Sequence, residues 1–359
     1  MTNITEKEIP SPLKDNYKID NYNWKLESCS KDDNNSRIVY CGINKEDKND
    51  CIYVKQIKIS FVSYKKILKE IYFLILLKKM DFFVHLDDIL LSLDKGCIFL
   101  IFIGNTVSLN SLINSKKNNY LSNKELVKWI IYQITFGLYI LHSNNIIHND
   151  IKPPNILIDG DSNVTICDFG SASYKQESSE DYTRYYSPPE FLNDTRIIRD
   201  EKSDIWALGV IMIELFLVQN NFFKNRNENN KNNNNKNQLE YILSKFGIKQ
   251  NISNEEINKL INNDLNQKYN IIFEKEEIEK INDKDAVELI NNLLVINPKK
   301  RISAFDALKS NYLKEYSEGD LSSDLNIIEK PINYEELTDE ISKENFEIIF
   351  NKLKAKIKD

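Results

Sequence analysis

No stretch of this 359-residue chain reads as a membrane span. The apolar run Ile71–Leu77 falls far short of the ~20 residues a spanning helix needs. The opening segment MTNITEKEIPSPLKDNYK is polar and lacks an apolar signal-peptide core. Lysine and arginine never gather into a long basic run, and the net charge is −6, so nucleic acid is not an expected partner. Cysteine is sparse. Cys29, Cys41, Cys51, Cys97 and Cys167 are odd in number and lie mainly in apolar runs, which argues against a disulfide framework and fits a reducing compartment. These absences point to a cytoplasmic or nuclear protein that works without a membrane and without nucleic acid.

What is present supports a sizeable core, since 41% of residues are hydrophobic. Residues 1–20 read as a polar leader. From 21 to 103 the chain reads as short strands with one helix. Ile38–Ile43 and Ile52–Ile57 are rich in β-branched and aromatic residues, and the polar stretch Asn44–Asp50 between them predicts a hairpin. Apolar residues at helical spacing predict a helix over Lys65–Lys78, and Ile98–Ile103 reads as a buried strand. From 104 to 316 helices dominate: Glu125–Leu141 is amphipathic, and Ile205–Leu217 is apolar nearly all round, as befits the middle of a large domain. The pattern is α+β, with a small β-rich lobe followed by a larger helical one. Asn225–Gln238 is asparagine-rich and too polar to offset its ordering entropy, which predicts a disordered insert. The tail, 317–359, holds 11 acidic and 6 basic residues. In it, Asn333 and Glu336 suggest a capping box ahead of an amphipathic helix with Phe346, Ile349, Phe350, Leu353 and Ile357 on one face.

The chemistry concentrates in HNDIKPPNILI, His148–Ile158, and CDFG, Cys167–Gly170. Asn155 follows Asp150 by five residues, and Asp168 follows Asn155 by thirteen. Two strand-like runs, Ile156–Ile158 and Val164–Cys167, flank a polar turn that contains Asp159-Gly160. Such a hairpin brings Asn155 and Asp168 to one end, beside Asp150. Two oxygen donors suited to Mg²⁺ then lie next to a separate carboxylate, the arrangement phosphoryl transfer needs.

At these spacings the segment resembles the catalytic loop and D-F-G metal motif of the eukaryotic protein kinases. The resemblance covers about Tyr22–Tyr316 and implies a two-lobed kinase fold. It implies that Asp150 is the catalytic base, that Lys152 contacts the transferred phosphoryl group, and that Asn155 and Asp168 hold Mg²⁺. A lysine two residues after the base is similar to the serine/threonine class. Downstream, SPPE at Ser187–Glu190 resembles the A-P-E motif, and Thr183 stands where the family's threonine braces Asp150 and Lys152. Asp204 in SDIWALG matches the residue that holds the catalytic-loop backbone, and Arg301 in NPKKR matches the partner of Glu190. Upstream, Lys55 in IYVK and Glu70, fifteen residues later, match the family's lysine–glutamate pair. ATP contacts are expected at Val39, Tyr53, Lys55, Glu70, Phe102, Ile103, Asn105 and Leu157. FGSAS, TRYY and LEYILSKFG resemble the group of cyclin-dependent, mitogen-activated and glycogen-synthase kinases. The implied activity is transfer of the γ-phosphoryl group of ATP to a serine or threonine of a protein substrate, with Mg²⁺ as cofactor and a regulatory protein as a further partner.

Several positions depart from that pattern. The three glycines of the loop over the phosphates are replaced by Asp32, Asn34 and Arg37. Tyr53 stands where the family has a small alanine, on the same strand face as Lys55. H-R-D reads His148-Asn149-Asp150, so the arginine that receives an activating phosphate is absent, and Ser187 stands where the resembled group has another arginine. The alternative to an active kinase is a pseudokinase, a scaffold or allosteric partner with little or no nucleotide binding.

Overall fold

The computed structural model describes residues 24–31, 36–44, 51–115, 120–175, 182–224, 235–248, 252–262, 269–317, 330–337 and 341–357. The chain forms two compact units, one of Met1–Thr106 with Ile327–Asp359, the other of Val107–Asn326.

The first unit is built on a five-stranded antiparallel sheet in the order β1-β2-β3-β5-β4. Its strands are β1 (Trp24–Lys31), β2 (Arg37–Asn44), β3 (Cys51–Lys58), β4 (Asp88–Ser92) and β5 (Cys97–Ile103). Period-two alternation divides β3: Ile52 and Val54 are buried with Tyr40, Phe99 and Ile101, whereas Tyr53 and Lys55 take the other face. The β2–β3 register pairs Ile43 with Cys51 and Val39 with Lys55, which sets the hairpin expected from the polar segment between them. Helix α1 (Tyr64–Leu77) starts where the Ser63 hydroxyl accepts a bond from Lys66 N. Cys51, Cys97 and Cys167 are reduced thiols, whereas Cys41 is disulfide-bonded, which departs from the fully reduced set expected.

The acidic tail, read from sequence as a segment of its own, groups with this sheet unit from Ile327 onward. Its helix spans Lys343–Ala355 and is capped by Ser342, which accepts from Asn345 N at 3.2 Å. Asn333 instead caps only the single turn Tyr334–Glu336. The expected apolar stripe is buried at Phe346, Ile349, Phe350 and Leu353, while Ile357 lies beyond the helix end. Phe346 stacks on Tyr64 of α1 with ring centroids 4.4 Å apart, and Tyr334 packs edge-on against Tyr72.

The second unit is mostly helical. Helix α2 (Lys124–Ser143) begins at Asn123, whose side chain accepts from Glu125 N and Leu126 N. Helix α3 (Glu201–Leu217) is buried on every face from Ser203 onward. It approaches the end of helix α5 (Lys284–Leu293) so closely that a Cβ on Gly209 would meet Leu294 Cγ at 2.7 Å. Glycine is required there for want of space. The asparagine-rich run ends sooner than its composition predicts. Asn235–Gln238 forms the first turn of helix α4 (Asn235–Ser244), where Gln238 is buried and donates to Phe223 O at 3.0 Å. Residues 225–234 lie outside the described residues. The predicted leader, 1–20, and the loop positions Asp32 and Asn34 also lie outside them. Among the described residues no helix is long and apolar enough to cross a membrane.

Candidate active site

The expected hairpin is formed by β7 (Ile156–Asp159) and β8 (Val164–Ile166), after a short strand β6 (Ile146–Ile147). Ile156 pairs with Ile166 and Ile158 with Val164. In the turn, the Asp159 carboxylate accepts from Asp161 N, Asn163 N and Asn163 Nδ2, and Ser162 takes the left-handed conformation at φ 69° rather than Gly160. At the opposite end Cys167 N donates to Asn155 O at 3.0 Å, so Asn155 and Asp168 emerge together, as the spacing predicted.

The loop that precedes β7 is fixed from below. One Asp204 oxygen accepts from His148 N and the other from Asn149 N, both at 2.9 Å. His142 Nε2 lies 3.0 Å from the same carboxylate. Burial raises the Asp204 carboxyl, but His142 and the His148 backbone outweigh it, and the net shift is downward, toward the charged form. Asp204 is therefore an anion at the root of helix α3 that orients two successive peptide N–H groups.

Above it, Asp150 is gripped on both oxygens. Thr183 Oγ1 donates to Oδ1 at 2.6 Å. Lys152 Nζ donates to Oδ2 at 2.6 Å, and Asn155 Nδ2 reaches the same oxygen at 3.2 Å. Lys152 Nζ also lies 3.0 Å from Thr183 Oγ1. These contacts are charge-assisted, and they hold the carboxylate in one orientation. The Asn155 amide nitrogen donates to Asp150 O at 2.8 Å, so its side-chain oxygen is the atom that could face a cation. Asp168 is in the left-handed region at φ 66°, an uncommon conformation for a residue other than glycine. Phe169 after it is buried with its ring 5.0 Å from His148, whose Nε2 lies 3.0 Å from Cys167 O. A carboxamide oxygen and a carboxylate at one hairpin end form a hard-oxygen donor set that suits Mg²⁺, with the remaining positions left to water and phosphate. Leu157, two residues on in β7, is half-buried.

In the sheet unit, Lys55 Nζ meets Glu70 Oε1 at 2.5 Å, which joins β3 to α1. Glu70 is 2% exposed, so this is no solvated helix-face charge. Tyr53 does not hang free beside Lys55: its hydroxyl donates to Thr106 O at 2.6 Å. Burial raises its phenol pKa, so it remains a donor. Phe102 is the cross-strand neighbour of Tyr53, and Val39 that of Lys55. Ile103 and Asn105 are exposed, and Ile103 N donates to Asp87 Oδ2 at 2.6 Å.

The contacts of three residues carried no signal in the sequence. Asn149, itself left-handed at φ 66°, is buried, and its amide donates to Ser171 O at 3.0 Å and Ser173 Oγ at 2.9 Å. It thus ties the catalytic loop to the segment after Phe169 with neutral bonds. Arg199 is buried and donates to Asn149 O at 2.8 Å. Glu214 of α3 is buried, accepts from Tyr186 Oη at 3.0 Å and from Phe222 N at 2.8 Å, and has its pKa pushed up to about 7 by burial. The predicted Glu190–Arg301 contact is present and bidentate, at 2.9 and 3.0 Å.

The β-sheet unit, the helical unit and the loop geometry together define a protein kinase fold. The protein kinase domain model matches residues 35–313, and the chain belongs to that family. It is 31% identical over 240 residues to the mitogen-activated protein kinase sty1 of Schizosaccharomyces pombe, a match spanning 65% of this chain and 64% of that one. It is 30% identical over 240 residues to the mitogen-activated protein kinase hog1 of Aspergillus clavatus, over 65% and 61%. Mitogen-activated protein kinase 6 of Arabidopsis thaliana is 28% identical over 290 residues, 77% of this chain and 69% of that one. The match thus spans slightly under two thirds of the first two relatives.

Proposed function

We propose that this chain is a protein serine/threonine kinase that uses ATP and Mg²⁺ to phosphorylate a protein hydroxyl. The observation that carries the reading is the Asp150 carboxylate, held at both oxygens by Thr183, Lys152 and Asn155. In this reading Asp150 orients the substrate hydroxyl and takes its proton as the oxygen attacks the γ-phosphorus. The bond to the bridging oxygen breaks, and ADP leaves with the electron pair. Lys152 places positive charge where the transferred group is exposed. Lys55, aimed by Glu70, contacts the phosphates. Val39, Tyr53, Phe102, Ile103, Asn105 and Leu157 complete the nucleotide contacts. Asn155 and Asp168 would hold Mg²⁺, which neutralises charge on the β- and γ-phosphates. The retained Lys55–Glu70 pair supports a catalyst over a pseudokinase, and the kinase names of the relatives support it too. The cytoplasm or nucleus is the proposed location, and a regulatory protein is a proposed partner beside the substrate.

The test is phosphate transfer from radiolabelled ATP to dephosphorylated casein and to myelin basic protein. Asp150→Asn and Asp168→Asn are each expected to lose more than about a hundredfold in turnover. Circular dichroism and melting should stay as in the wild type. Wild-type turnover in either variant overturns the assignment.

A further inference from the structure

We infer that Arg199 is a positioning residue for Asp150. The inference rests on the reading of Asp150 as the base. Arg199 precedes Asp200, the cap of helix α3, and its side chain turns inward until only 6% of the residue is exposed. Burying a guanidinium is costly unless its donors are used in a fixed geometry. Here Nη1 donates to Asn149 O at 2.8 Å, and the guanidinium carbon lies 4.5 Å from the centre of the Phe191 ring.

The bonded carbonyl belongs to the peptide that leads into Asp150. The N–H of the same residue is held by Asp204. Asn149, left-handed at φ 66°, is thereby clamped at both main-chain polar atoms, its N–H by an aspartate and its C=O by an arginine. A residue in that conformation would otherwise relax and swing the next side chain. Phe191 carries the second connection. It also meets Tyr182 in a T-shaped contact with ring centroids 4.9 Å apart, and Tyr182 precedes the Thr183 that donates to Asp150 Oδ1. Arg199 thus joins the backbone before Asp150 to the segment that supplies its Thr183 brace. Asn149, Asp150, Thr183, Arg199 and Asp204 all line one small cavity, together with apolar residues such as Ile151.

Arg199→Met fills the space without donors, Arg199→Ala empties it, and Arg199→Lys keeps one donor. Steady-state kinetics with MgATP and myelin basic protein should show kcat down at least tenfold in Arg199→Met and Arg199→Ala. Arg199→Lys should lie within threefold of the wild type, and the KM for MgATP should stay within twofold throughout. A kcat within threefold for Arg199→Met overturns the inference. So does an equal loss in the lysine and methionine variants, or a loss expressed in the KM for MgATP. If the alanine variant does not fold, the methionine–lysine contrast decides. Asp150→Asn in the same assay separates the two readings: an inactive Asp150→Asn beside an active Arg199→Met removes only the role of Arg199, whereas an active Asp150→Asn removes the base assignment itself.

Discussion

Arg301 grips Glu190 with both ends of its guanidinium fork, at 2.9 and 3.0 Å, across 111 residues of sequence. The same guanidinium donates to the carbonyls of Lys202 and Val295 and lies 5.0 Å from the Trp206 ring. Removing one member of such a pair strands a buried charge, at about 3–5 kcal/mol. Arg301→Met should therefore lower the melting temperature by roughly 10 °C. Glu190→Gln, which can still accept from the fork, should lower it less. Calorimetry of the two variants checks the order.

Glu214 should make stability fall as pH rises. Burial lifts its folded pKa to about 7 from an ordinary 4.5. The folded state then binds the proton more tightly than the unfolded chain does. The favourable contribution is complete below the ordinary value and is lost as pH rises toward about 7, up to about 3 kcal/mol. Glu214→Gln can keep both neighbours, with its oxygen accepting from Phe222 N and its amide donating to Tyr186. The variant and the wild type should melt alike near pH 5 and diverge by pH 8, with the variant higher. Equal melting curves at both pH values would remove the effect.

The tail helix should be part of the sheet unit's stability. Phe346 is fully buried against Tyr64, and Phe350 packs beside it with ring centroids 5.9 Å apart. Phe346→Ala should cost about 3–5 kcal/mol, like other large-to-small core changes. Hydrogen exchange read by mass spectrometry should show α1 less protected in the variant.

Tyr53 should modulate nucleotide binding without blocking it. Its hydroxyl is tied to Thr106 O, which gives the ring one orientation. Isothermal titration with MgATP should give measurable binding in the wild type, changed less than tenfold by Tyr53→Ala. Absent binding that appears only in Tyr53→Ala would make this tyrosine an occluder, and the pseudokinase reading would replace the catalytic one.

The fold was legible wherever sequence periodicity and packing agreed. The helix predicted over Lys65–Lys78 spans Tyr64–Leu77, and that predicted over Glu125–Leu141 spans Lys124–Ser143. The hairpin carrying Asn155 and Asp168 followed from two β-branched runs around a polar turn. Helix α4 was misjudged at its start because asparagine is a poor helix former. Tertiary bonds from Tyr182 and Arg184 to Asn235, and from Gln238 to Phe223 O, decide that turn, and they carry no local signal. The start of the tail helix was misplaced for a related reason. Asn333 and Glu336 have capping-box spacing, but only a single turn follows them. Arg199 and Glu214 were invisible because a lone charged residue in a sequence reads as solvated. Only burial shows that each is held by specific partners.

Asn149 anchors the catalytic loop through a carboxamide that donates to Ser171 O and Ser173 Oγ. An arginine at that position would bring a charge that a phosphate could pair with, whereas the carboxamide makes its bonds with neutral groups of the chain. The amide is encoded in the chain and arrives with translation. Its bonds are indifferent to the balance of kinases and phosphatases around the molecule.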